Sequence, residues 1–303
     1  TFLHEGWDEP MACRYLESVW GRSLAAEERT WAGQINELVD GLSLAWTLLA
    51  PWLRRPESWA EIRAALAAAP LTVLNRSHDR LWTSLNLAYE RLLPPAQDLF
   101  RAMGVLAPGA PFDLEALVAI LGLPPAEVRW RLDALEMAAF LRDAPSASGQ
   151  SHYQMHHLLH HLARELAGSD PLHQVQAEHH ARFYAGRAHP LRAEQNSPEW
   201  SRTVRELLPD LPNVRLGQAW AAERAHPLAV DYFLNTAPYL LATRDLETHL
   251  AWGQAALPVV KADPAAFPAL ERLALYGQLP HPDPSQKRAY LEQALAIARE
   301  EMG

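Results

Sequence analysis

The chain is 303 residues long, 49% hydrophobic and 21% charged, with a formal net charge of −9 at pH 7. This composition suits a soluble globular protein of two or three domains, holds no apolar run near the roughly 18 residues of a membrane span, and opposes non-specific attraction to nucleic acid or anionic lipid. The single cysteine, Cys13, excludes an internal disulfide, and with no secretory leader pattern the expected location is a reducing cytoplasm.

Basic residues are almost all arginine, Lys261 and Lys287 being the only lysines. The chain opens on Thr1-Phe2-Leu3 rather than on methionine, as expected of a piece excised from a longer protein.

Residues 9 to 70 read as a small all-helical unit. Met11, Tyr15, Leu16, Val19 and Trp20 share one helical face, and Trp31, Ile35, Leu38 and Val39 share another. After Gly41, the stretch from Leu42 to Leu53 is apolar nearly all round and predicts a buried central helix. Pro56 opens a fourth helix bearing Trp59, Ile62 and Leu66.

From about Leu81 to Ala144 shorter helices alternate with turn signals. Leu81, Leu85, Ala88, Tyr89 and Leu92 form one face; Pro94-Pro95 interrupts it before Leu99, Phe100 and Met103. Asp113 is placed to cap a helix through Leu117 and Leu121, and Pro124-Pro125 opens another carrying Val128, Leu132 and Leu135. Residues Phe140 to Asp143 and His152 to Met155 flank a polar loop, a hairpin with a long tip. Three helices and a two-stranded wing predict a winged helix.

Beyond Gly168-Ser169-Asp170 the pattern predicts helices at about 175–192, 198–208, 211–225, 227–242, 246–257, 264–276 and 285–301, an array of antiparallel helical repeats. The segment from Ala289 to Glu300 resembles the second helix of a tetratricopeptide repeat. The expected fold is therefore mainly α, a helical bundle (1–75), a winged helix with a small hairpin wing (76–168) and a TPR-like array (169–303).

The densest chemistry lies between Tyr153 and Leu166. Met155, Leu158, Leu159, Leu162 and Leu166 fall at helical spacing, which puts His156 beside the first turn of an amphipathic helix, where backbone N–H groups favour phosphate. The order strand, Met155-His156, apolar helix resembles the MHD motif that closes the winged helix of STAND-class (NB-ARC-like) regulatory ATPases. Four further stretches resemble that family in order along the chain, the first being Phe2-Leu3 with Glu9 to Leu16, which looks like the segment that follows the core ATPase sheet. Gly41-Leu42-Ser43-Leu44-Ala45 stands in place of its Gly-Leu-Pro-Leu-Ala motif, and Asn86 to Phe100 resembles the opening of its winged helix. Leu208 to Arg215 with Ala219-Trp220-Ala221 resembles the helix that begins the sensor arrays of bacterial transcriptional activators.

The resemblance implies the regulatory portion of a nucleotide-dependent signalling switch, with ATP or ADP bound by an upstream domain and an inducer, protein or small molecule, received by the array. It makes His156 the β-phosphate ligand and puts Ser43 where the family places a proline against adenine; the acidic third residue of the MHD motif is His157 here. No Gly-x-x-x-x-Gly-Lys-[Ser/Thr] loop or paired-acid strand exists, since Lys261 and Lys287 lie in unrelated contexts, so no nucleotide hydrolysis is expected of this chain alone.

His156/His160 and His157/His161 are at i, i+4, a spacing that can chelate zinc, but no His-Glu-x-x-His order or cysteine accompanies them. Gly41 to Ala45 imitates a nucleophile elbow without the strand that motif needs before its serine. A winged helix invites DNA binding, yet the third helix sets Arg129 and Arg131 against Glu127, Asp133 and Glu136. A protein-interaction scaffold with no nucleotide role is the main alternative, and the tryptophans are expected mostly in cores.

Overall fold

The structure, a computed structural model, describes residues 7–39, 41, 43–68, 85–144, 151–168, 170–279 and 283–301. In chain order the helices are α1 (Glu9–Trp20), α2 (Ala26–Leu38), α3 (Ser43–Leu49), α4 (Pro56–Ala68), α5 (85–90) and α6 (Pro94–Ala102). Then come strand β1 (Pro111–Phe112), α7 (Leu114–Leu121), α8 (Pro125–Met137), β2 (Leu141–Ala144), β3 (His152–Met155) and α9 (His157–Ala167). The rest is helical: α10 (Pro171–Ala193), α11 (Trp200–Leu207), α12 (Leu211–Glu223), α13 (Leu228–Ala242), α14 (Leu246–Ala262), α15 (Ala269–Gln278) and α16 (Pro284–Glu301). The protein is thus mainly helical with one small sheet. Among the described residues no helix is long and apolar enough to cross a membrane.

Contacts divide the chain into two units. The first comprises Thr1–Arg101, Ala126–Arg142 and Met155–Leu166, the second Ala102–Pro125, Asp143–Gln154 and Ala167–Gly303.

In the first unit, Asp8 caps α1 by accepting from Met11 N at 2.8 Å, and Gly21 ends the helix at φ +68°, a conformation open to glycine at little cost. Its apolar face meets the faces of α2, α3 and α4, so that Leu16, Ile35, Trp46, Leu49, Trp59 and Ile62 share one core. A polar knot closes the α2–α3 turn. The Trp46 indole donates to Asn36 Oδ1 at 2.7 Å, Asn36 Nδ2 donates to the Trp7 carbonyl at 2.8 Å, and Trp7 N donates to the Gly41 carbonyl at 2.7 Å. The buried helix expected from Leu42 to Leu53 is shorter than that, because Pro51 lacks an N–H and disfavours helix before it; α3 ends at Leu49 and residues 50–54 form turns. Leu85, Ala88 and Tyr89 are buried on α5 as their spacing implies. Phe2, Leu3, Leu42, Leu81, Ser169 and the wing tip at 145–150 lie outside the described residues.

The second unit holds most of the sheet; the two expected strands are present as neighbours, β2 and β3, but a third, β1, joins them on the other side of β3. The order is β1-β3-β2, with β1 antiparallel to β3 in the register Pro111↔Gln154 and Phe112↔Tyr153. Two residues are too few to show an alternating pattern, so β1 left no periodic signal. Asp113 caps α7 as expected, accepting from Ala116 N at 2.9 Å.

Several of the C-terminal helices differ in extent from those expected. Asp170, accepting from Leu172 N at 2.9 Å, caps an α10 that begins at Pro171 rather than near 175. The helix expected to stop at 257 continues through Pro258 to Ala262, because burial of Trp252, Ala256, Val259 and Val260 outweighs one forfeited backbone bond. The stretch expected as helix 264–276 is a 3-10 turn at Pro264–Ala266 followed by α15, which Pro268 introduces.

Packing between these helices is close. Tyr232 donates to the Ala181 carbonyl at 2.6 Å, and Asn235 to the Ala185 carbonyl at 3.1 Å, tying α13 to α10. A Cβ on Gly217 would stand 1.9 Å from the Tyr232 hydroxyl and 3.2 Å from the Ala181 Cα, so this position requires glycine for space rather than for backbone freedom.

Candidate functional site

His156 sits in the single-residue gap between β3 and α9. Its carbonyl accepts the first helical bond, from His160 N at 3.0 Å, and its ring Nδ1 accepts from Leu158 N at 3.2 Å. The imidazole therefore caps its own helix. An Nδ1 that accepts leaves the proton on Nε2, and burial, reinforced by His157 and Arg142, holds the pKa below the ordinary imidazole value. The result is a half-buried neutral ring with its Nε2–H as the remaining polar group, at a helix end where backbone N–H groups already favour anions. The His157 ring lies against it, centroids 4.2 Å apart.

The other histidines of the stretch diverge. His160 is buried, whereas His157 and His161 are exposed, and His161 Nε2 lies 3.7 Å from Glu165 Oε1. Among the described residues no three His, Cys, Asp or Glu side chains are grouped to hold a metal ion.

Ser43 is the exposed first residue of α3, and Thr47 donates to its carbonyl at 3.0 Å. No hydrogen bond or ring contact joins Ser43 to His156 among the described residues. A helix, α2, precedes the Gly41 turn, so Ser43 lacks the strand that a nucleophile elbow needs. On α8, Arg131 pairs with Glu127, and Arg129 lies 3.9 Å from Asp133; both arginines face acids one turn away.

The second unit holds a separate polar centre. Asp113, already capping α7, binds the Arg187 guanidinium of α10 through its second oxygen. Arg187 also approaches Glu115 at 3.7 Å and, through Nε, Asp210 at 3.9 Å. Burial pushes the Asp210 carboxyl up to about 6 against the pull of Arg187, and nearby Asp113 adds to the rise. Beside them Tyr184, fully buried, has a hydroxyl without a hydrogen-bond partner and a pKa raised well above the usual phenol value, mainly by desolvation.

Next to this cluster Asn213, on α12, has no exposed surface. Its Oδ1 accepts from Ala107 N at 2.7 Å and meets His180 Nε2 at 3.2 Å, while its Nδ2 donates to the Pro111 carbonyl at 3.4 Å. Burial drives the His180 pKa down to about 4, so that ring is neutral and donates. The asparagine of the Leu208 to Ala221 stretch thus staples a helix to the loop before β1. Asp113 was visible in the sequence only as a cap, and Arg187 and Asp210 carried no local signal. Compared with known proteins, the chain matches no family model and no curated protein.

Proposed function

We propose that this chain is the regulatory and sensor portion of a STAND-type nucleotide-dependent switch. In this reading residues 76–168 are the winged-helix segment, and α10 to α16 a TPR-like array that receives an inducer. The phosphate-handling site belongs to a P-loop domain outside these residues, with ADP in the closed form and ATP in the open, oligomerising form. A signal on the array shifts the population between the two.

The observation that carries this reading is the state of His156. A neutral imidazole whose Nδ1 is taken up by its own helix offers an Nε2–H to a phosphate oxygen without the pH sensitivity of an imidazolium. Ser43, exposed at the start of α3, takes the place beside the adenine in this scheme.

The test is nucleotide content. The intact protein carrying the P-loop domain should retain ADP through purification, and His156→Ala should lose it and raise basal activity. Retention unchanged by that substitution removes the sensor role. A second reading, an interaction module without nucleotide, is favoured by the large apolar side chains exposed along the array, among them Leu172, Leu246, Leu270 and Leu291. Intact protein that binds no nucleotide decides for it.

A further inference from the structure

Helix α8 carries two apolar stripes. Val128, Leu132 and Leu135 are buried, while Trp130, Ala134 and Met137 lie on the opposite side of the helix. That second stripe lines a cavity of about 810 Å³, together with Pro51, Trp52, Leu92 and Leu93. A neighbouring cavity of about 420 Å³ shares Pro51 and Met137 with it and continues past Tyr15, Val19 and Ala50. The two make one groove.

Its apolar rim is open to solvent. Val19 is 43% exposed, Leu93 59%, Trp130 51% and Met137 80%, an expensive arrangement for side chains with no partner. An enclosed small-molecule site would bury such residues around its ligand. Tryptophan, methionine and arginine are the types that dominate the centres of protein interfaces, and methionine adapts its shape to what it meets.

The charge on the rim selects the partner. Arg54, Arg55 and Arg91 border the groove, and Asp133 is the one acid among its lining residues. Arg91 is engaged by Glu61 at 2.9 Å, and Asp133 faces Arg129, but Arg54 and Arg55 have no acidic partner among the described residues. A local cationic edge stands out on a chain of net charge −9. The chain's own segment 69–84 has the wrong charge for it, carrying Arg76 and Arg80 against Asp79.

We propose that this groove docks an amphipathic helix of a partner protein, one that seats large apolar side chains at i, i+4 and i+7 against Trp130, Met137 and Leu93 and flanks them with acidic residues facing Arg54 and Arg55. A groove walled by helix faces and lined by apolar side chains suits the apolar stripe of a helix, and the arginines fix its charge preference.

The experiment is a display selection of helical peptides of about 16 residues, roughly four turns, on the full chain, with Trp130→Ala/Met137→Glu as the counter-target. Both replaced side chains are largely exposed, so the variant should keep its far-UV circular dichroism. Enriched peptides should share the apolar spacing and carry Asp or Glu beside it; Arg54→Glu/Arg55→Glu should weaken them about tenfold or more at low salt and favour versions with lysine in place of the acids. Enrichment indifferent to Trp130 and Met137, basic or non-helical winners, or no winners at all would overturn the proposal. So would self-association of the chain that Met137→Glu abolishes, or displacement by dodecanoate without peptide binding.

Discussion

Asn213 holds the backbone amide of Ala107 at 2.7 Å across 106 positions of sequence, making one buried carboxamide the link between α12 and the loop that leads into β1. The same side chain meets His180 and the Pro111 carbonyl, so its polar atoms are used inside the protein.

Asn213→Ala should therefore destabilise the second unit by about 2 kcal/mol, because it leaves the buried Ala107 N–H without an acceptor and His180 without its partner. Chemical denaturation at pH 7 measures this. A loss below the scatter of the fit would mean that water replaces the carboxamide.

The Asp113, Arg187 and Asp210 cluster makes stability depend on pH in a defined direction. Asp210 has a native pKa of about 6, above the ordinary aspartate value of 3.8, so between these limits the folded chain binds a proton that the unfolded chain has released. The resulting penalty is complete above about pH 6 and is relieved as pH falls through the window. Asp210→Asn should add on the order of 1 to 3 kcal/mol at pH 7.5 and almost nothing at pH 3.8. Parallel urea titrations at both values check the sign; a benefit that grows on acidification contradicts it.

Asp113→Ala should act oppositely and more strongly. It removes the cap of α7, worth about 1 kcal/mol, and strips a partly buried guanidinium of its nearest carboxylate, so a total loss of roughly 3 kcal/mol is expected. Asp113→Asn, which preserves the cap, should recover about 1 kcal/mol of that loss. Equal damage from the two substitutions would assign the whole effect to the ion pair.

Gly217→Ala tests the close approach of α12 to α10 and α13. The added methyl collides with the Tyr232 hydroxyl and should break its bond to Ala181, for a loss of about 2 kcal/mol. Gly217→Ala in a Tyr232→Phe background should be milder, since the oxygen at 1.9 Å is gone and only the ring carbon at 2.9 Å has to shift. Additive losses in the double variant would locate the strain elsewhere.

Much of the fold was legible because its signals are local. Asp113, Pro125 and Pro56 announce helix starts through chemistry within one turn, and the faces carrying Trp59, Ile62 and Leu66, or Val128, Leu132 and Leu135, are buried as their spacing implies. Strand β1 was not legible because two residues carry no period, and Pro258 misled because only its buried neighbours keep α14 intact. The polar centres divide the same way. His156 precedes α9 and Ser43 begins α3, positions that the helical spacing after each of them implies. Arg187 meets Asp113 across 74 positions, a pairing that no local pattern encodes.

The knot that fixes Trp46 against Asn36 belongs to a unit that also holds Trp7, Trp20, Trp31, Trp52, Trp59 and Trp130, whereas Trp200, Trp220 and Trp252 fall in the other. Indole fluorescence consequently reports mostly on one half of the molecule, while far-UV circular dichroism also weights the long helices α10, α14 and α16 of the other. Superimposable melting curves from the two probes would mean that the halves unfold as one cooperative body; separated curves would give each half its own midpoint without any need to cut the chain.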